Sequence, residues 1–365
     1  MTALTRGPLA GVRIIEIAGI GPLPFAGMLL ADLGADILRI DPPRPRELQS
    51  ADADGRDPVM RGRAAMTLDL KTDEGRDRLL GLVAVADVLI EGLRPGKMEA
   101  LGLGPGACFA RAPHLVYGRS TGWGQTGSLA ASAGHDPNYV SYTGALSWLG
   151  ASGRPAMPPF GLVGDTAGGA LYLVVGVLAA LHHARATGTG QVVDAAIMDG
   201  TLSLMTGLYA MQDRDPAERA RWHATMGGSC PFATLYETAD GGFMAVCALE
   251  SRFYAQFVEG LGLDAKALPP RGDMAHWPAL REQFARSFRA KPRSHWEQIF
   301  TGTDACVTAA LSIEEARDHP INAARGAFAN GIPAAAPRFS VTATGHAPQG
   351  LAADAMIERW QTGSG

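Results

Sequence analysis

The stretch VRIIEIAGIGPLPFAGMLLADLGADILRID, residues 12–41, decides the fold. It opens with a short apolar run, VRIIEI. A glycine-rich turn follows, and Pro24 suits a first helical turn, where a backbone N–H is not needed. FAGMLLADLG places apolar residues at helical spacing and stops at Gly34. ADILRID then reads as a second strand. Strand, helix, strand predicts a βαβ unit, hence a parallel sheet with a right-handed crossover.

Gly19-Ile20-Gly21 begins like a dinucleotide-binding turn, and Asp41 falls near that fingerprint's acidic position. Pro24 stands where its third glycine is needed for close helix–strand packing, which argues against a nicotinamide cofactor. Residues 42–66, rich in Pro, Arg and Asp, read as a long loop. ADVLIE and HLVYGRS continue the α/β pattern. The loop STGWGQTG, residues 120–127, is dense in glycine and allows backbone to approach a ligand. Loops after parallel strands are where α/β proteins usually bind ligands.

From Asp165 a long apolar helix is expected to about Ala184. TGTGQVVDAAIMDG reads as a turn, a strand and a new helix. FATLYETADGGFMAVCALE predicts a hairpin turning at Asp240-Gly241-Gly242, and helical segments follow to about residue 305. This pattern is taken as a smaller second domain. The last 35 residues are loop-rich and finish with a short helix.

Of the 365 residues 47% are hydrophobic and 19% charged, which excludes a disordered chain. A net charge of -4 argues against nucleic-acid binding, which needs a basic footprint. The four cysteines, Cys108, Cys230, Cys247 and Cys306, form no CxxC pair and read as reduced thiols of a cytoplasmic protein, with no metal site expected. The first residues, MTALTRGPLAG, show no secretory signal, and QTGSG is not a peroxisomal address. The longest apolar stretch, residues 167–181, is shorter than a bilayer span and is expected to be an interior helix, so no membrane partner is expected.

Three places offer chemistry: AGHDPNYVSYTGAL with His135, GLVGDTAGG with Asp165, and Glu250 at the end of FMAVCALE. Taken singly, Asp165 reads as an N-cap, His135 as a loop histidine and Glu250 as an exposed strand-end carboxylate. However, Thr166, Ala167, Gly168 and Gly169 leave the helix start almost bare, so its N–H groups are expected to attract a developing negative charge.

Nearly end to end, the chain resembles the α-methylacyl-CoA racemases of the family III CoA-transferase superfamily. The shared segments are PLAGVRIIEIAGIGP, LADLGADILRID, ADVLIEGLRPG, TGWGQTG, AGHDPNYVSYTGAL, LVGDTAGG, GQVVDAAIMDG and TDACVT. GHDPNY followed by LVGD is the racemase-like signature. The resemblance implies that His135 and Asp165 are an acid/base pair that moves a proton on and off the α-carbon of a 2-methylacyl-CoA through an enolate. Glu250 would orient the imidazole.

It also implies an α/β fold in which a Rossmann-like large domain carries a smaller α+β domain in an interlocked homodimer. The expected bounds are 1–190 for the large CoA-binding domain, 191–233 for a linker, 234–305 for the small domain, 306–327 for a second linker, and 328–365 for a segment returning to the large domain. CoA enters as part of the substrate, so no separate cofactor is expected. By the resemblance, Arg39, Arg44 and Arg46 meet the adenosine and phosphates, with Leu68, Asp69, Leu70 and Lys71 and the turn Gly92, Leu93, Arg94. Ile20 and the loop Gly134, Asp136, Pro137, Asn138 and Tyr139 would line the pantetheine. The chain departs from the family's basic positions at Pro42, Gly62, Ala64 and Ala100, and has Gly161 where an Asn often precedes LVGD. Two other readings stand beside the racemase: a transferase with Asp165 as nucleophile, and a non-catalytic acyl-CoA-binding protein. The acyl chain is left open among branched fatty acids, bile-acid intermediates and 2-arylpropionyl groups.

Overall fold

The computed structural model describes residues 7–43, 57–149, 155–345 and 352–362. Two compact units divide the chain. The first comprises Met1–Ala145, Pro158–Thr206 and Ile332–Gly365; the second comprises Leu146–Met157 and Gly207–Gly331.

The first unit is built on six strands: β1 (Arg13–Ile17), β2 (Asp36–Asp41), β3 (Arg63–Thr67), β4 (Val88–Glu91), β5 (Val116–Thr121) and β6 (Val192–Ala196). All neighbours pair in parallel, in the order β3-β2-β1-β4-β5-β6. This doubly wound order reverses direction between β1 and β4, and the crevice at that switch is the general ligand position of such sheets. The strands are short apolar runs because both faces are covered. Ile14 joins one core with the helices Pro22–Asp32 and Leu171–Thr187, while its neighbour Ile15 joins the opposite core. That second core contains Leu79 and Leu82 of the helix Asp73–Val83 and Met356, Ile357 and Trp360 of the C-terminal helix Ala353–Thr362.

Several expectations need correction. β3 lies inside the stretch read as loop. Its signal is hidden because buried arginines replace apolar residues: Arg63 Nε binds Glu16 Oε2 at 2.6 Å, and Arg61 Nε binds Asp32 Oδ1 at 2.8 Å. β6 and the helix Ile197–Leu204 complete the first unit, beyond the boundary drawn at residue 190. The apolar helix begins at Leu162, three residues before Asp165, with a π-helical stretch Leu162–Ala170 that continues as Leu171–Thr187. Together they run 26 residues, long and apolar enough by length and composition to cross a membrane. Leu173, Val174, Val177 and Leu181 instead pack one side of the helix into the core of the first unit.

The second unit carries an antiparallel sheet of β7 (Ala233–Glu237), β8 (Phe243–Cys247) and β9 (Val307–Ala310). The β7–β8 hairpin turns at the expected glycines, with Gly241 at a φ of 77°. β9 falls within the segment taken for a second linker. Aromatic side chains, among them Tyr236, Phe257, Phe284, Phe288 and Trp296, form its core.

Candidate active site at the carboxyl ends of the large sheet

The short helix Asp136–Ser141 follows the glycine-rich loop after β5. His135 precedes it in extended backbone, and its N–H donates to Asn138 Oδ1 at 3.0 Å. The Asn138 N–H returns to the His135 carbonyl at 2.8 Å, so Asn138 fixes the histidine's backbone. Pro137 sits where a helical N–H is dispensable. The Tyr139 hydroxyl donates to the Gly134 carbonyl, and its ring meets the Trp123 edge at 4.8 Å. A Cβ at Gly122 would overlap the Tyr139 ring, which requires glycine there. His135 is exposed, while Asp136 behind it is buried.

Asp165 occupies the first turn of the π-helix. Gly161 opens that helix at a φ of 78°, a left-handed conformation that Gly and Asn tolerate best. The Thr166 N–H reaches back to the Gly161 carbonyl at 2.8 Å, and the Asp165 N–H donates to Asp136 Oδ2 at 2.8 Å. The expectation of bare donors beside Asp165 therefore fails: both are already engaged. The glycines after it serve packing instead. A Cβ at Gly168 would overlap the Thr201 hydroxyl, and one at Gly169 would crowd Pro22 and Ile197.

Burial, then the charge of Asp136, push the Asp165 carboxyl up to about 6, against a downward pull from His135. The mutual influence places the imidazole and both carboxyls in one electrostatic neighbourhood. Tyr139 feels both Asp165 and Arg94, after burial, so the Gly92–Arg94 turn at the end of β4 borders the same place. Gly21, after β1, lies against Asp165, its ideal Cβ position 3.5 Å from Oδ2. The loops after β1, β4 and β5 thus converge with Asp165 at the crevice the topology selects. His135, Asp136, Tyr139, Arg94 and Asp165 are brought together, and the neighbouring Ile20 side chain is exposed.

The other expected residues have the following surroundings. Arg39 is buried and binds Asp41 Oδ1 at 2.9 Å. Asp69 accepts the Lys71 N–H at 3.0 Å, shaping the turn before the helix Asp73–Val83 and leaving Lys71 exposed. Leu68 and Leu70 pack against the sheet's second core. Arg44 and Arg46 lie outside the described residues. Glu250 belongs to the second unit, exposed just before the helix Ser251–Gly260, where its charge helps raise the neighbouring Cys306 thiol after burial. Asp136, expected to line the pantetheine, is instead an internal carboxylate; its burial could not be read from an Asp-Pro loop signal. Among the described residues no cluster of three His, Cys, Asp or Glu groups could hold a metal ion.

Residues 9–350 match the sequence family described as CoA-transferase family III. The chain belongs to CoA-transferase family III. Within family III it is 42% identical to the α-methylacyl-CoA racemases of mouse and human over 320 residues, covering 88% of this chain and 82% of each relative. The solved structure of Rv3272 from M. tuberculosis has a TM-score of 0.77 and 25% identity, covering 93% of this chain and 95% of its own. The family III resemblance and the mixed α/β architecture expected from the sequence both hold.

Proposed function

We propose that this chain interconverts (2R)- and (2S)-2-methylacyl-CoA thioesters by proton transfer at the α-carbon, with His135 and Asp165 as the two proton-transfer groups. The observation that carries this reading is the Asp165 carboxyl held near 6 in the electrostatic reach of His135. Such a group is available in both protonation states near neutrality, which is what a two-way acid/base pair needs. The identity to racemases supports the substrate class.

For one enantiomer His135 removes the α-proton while protonated Asp165 delivers one to the other face; for the other enantiomer the roles exchange. General acid–base help is worth typically about 10²- to 10⁴-fold, so the enolate oxygen also needs a donor. With the Asp165 and Thr166 N–H groups engaged, this reading moves that donor to the Asp136 N–H, next to His135. The Gly92–Arg94 turn and Lys71 supply positive charge for the CoA phosphates.

The protein is further proposed to be a cytoplasmic homodimer acting on branched fatty acyl thioesters. Leu162, Leu171 and Val175 stand exposed on the long apolar helix, a surface suited to burial against a second copy. Four unpaired cysteines fit a reducing compartment.

The test is NMR of (2R)- and (2S)-2-methylacyl-CoA in heavy water without an acyl acceptor. Racemisation predicts deuterium at the α-carbon and convergence of both enantiomers to one mixture. Trapping of an acylated Asp165 by hydroxylamine, with no exchange, would instead establish a transferase. Thioester binding with neither outcome would establish a binding protein.

A further inference from the structure

Asp136 is 1% exposed, and no Lys, Arg or His pairs with it among the described residues. Its Oδ2 accepts the Asp165 N–H at 2.8 Å, while Oδ1 is sealed away without a hydrogen-bond partner. Gly164 is pressed against it: a Cβ there would overlap Oδ2. A buried carboxylate with an unpartnered oxygen is costly, so a merely structural acceptor would be better served by a neutral side chain. We propose that Asp136 is a positioning residue for the proton-transfer pair: its carboxylate ties the first turn of the π-helix to the helix that starts beside His135, and its uncompensated charge acts on the Asp165 carboxyl. The proposal rests on the racemase reading for its purpose, but not for its test.

The groups around Asp165 leave Asp136 as its source of negative charge. His135 acts in the opposite sense, and Tyr139 from the same helix is itself raised by Asp165. The helix Pro22–Asp32 presents Gly21 and Pro22, and the helix Ile197–Leu204 packs through Ile197 and Thr201, none of them titratable. On β5, Arg119 is engaged by Glu91 and Glu99; on β6, Asp194 Oδ2 accepts the Gln125 N–H at 3.0 Å.

The experiment is a carbon-13 NMR titration of the full chain labelled at aspartate carboxyl carbons, with the Asp165 signal assigned by its loss in Asp165→Asn. Asp136→Asn keeps an oxygen for the Asp165 N–H and removes the charge. Its Asp165 midpoint should fall by about one pH unit. The pH at which one direction of racemisation declines should fall with it. Gly164→Ala, which displaces the Asp136 carboxylate, should lower the midpoint in the same direction. An unchanged Asp165 midpoint in Asp136→Asn overturns the proposal, as does assignment of the near-neutral titration to Asp136 itself. Should Asp136→Asn fail to fold, the Gly164→Ala titration decides by the same criteria. The titration needs no substrate: a protein that titrates as described but exchanges no α-hydrogen loses the racemase reading and keeps the Asp136–Asp165 coupling.

Discussion

Holding Asp165 near 6 has a consequence for stability. An ordinary aspartate titrates near 4 in an unfolded chain, so the folded state favours the protonated form. That contribution is fully present below about pH 4 and is lost as pH rises through about 6, where the folded protein must carry an unwelcome charge. Asp165→Asn should therefore be more stable than the parent at pH 7, by roughly 1–2 kcal/mol after allowing for solvent screening of a part-exposed group. Urea unfolding at pH 7 and pH 4 checks this: the gain should vanish at pH 4, and a gain equal at both pH values would contradict it. His135 and Asp165 were legible only through the family motifs. Singly, each passes for a loop histidine and a helix cap, and their proximity depends on Asp136, whose burial no local pattern discloses.

The close approach of the π-helix to the helix Ile197–Leu204 depends on Gly168, whose Cα leaves no space before the Thr201 hydroxyl and the Ile197 carbonyl. Gly168→Ala should cost about 1–3 kcal/mol by overpacking and depress turnover, because the same helix carries Asp165. Thermal unfolding with a turnover assay tests it; unchanged melting would mean that the two helices part without cost. The first βαβ unit was readable because its apolar runs and Gly34 stop have clean periods. The π-helical turn was not, since its i to i−5 bond from Thr166 to Gly161 leaves no distinct hydrophobic period. β3 was lost to Arg61 just ahead of it and Arg63 at its start, charged residues that serve Asp32 and Glu16 inside the protein.

At the scale of the whole chain, the C-terminal helix returns to pack on the sheet that the N-terminal strand belongs to. The helix Ala353–Thr362 buries Met356, Ile357 and Trp360 on the face opposite the long apolar helix, and Arg359 reaches Asp36 at 3.4 Å. Truncation after residue 352 should cost about 2–4 kcal/mol, the lost burial offset by the helix's ordering entropy. A urea midpoint that does not move would contradict this. The second unit's hairpin was legible from its glycine turn, whereas the place of Ser147 and Trp148 in that unit was not, because it is decided by contacts with His223, far away in sequence. The departures at Gly62 and Ala64 weaken no visible part of the acid/base site, since that edge of the sheet is held by internal ion pairs. What remains decisive is whether an imidazole and a carboxyl serve opposite faces of one carbon. α-Hydrogen exchange should be timed separately for each enantiomer in His135→Ala and in Asp165→Asn. Two bases on opposite faces predict that each variant loses one enantiomer's exchange by about 10²-fold or more beyond the other's, with the favoured enantiomer reversed between variants; equal losses for both enantiomers in either variant would contradict it.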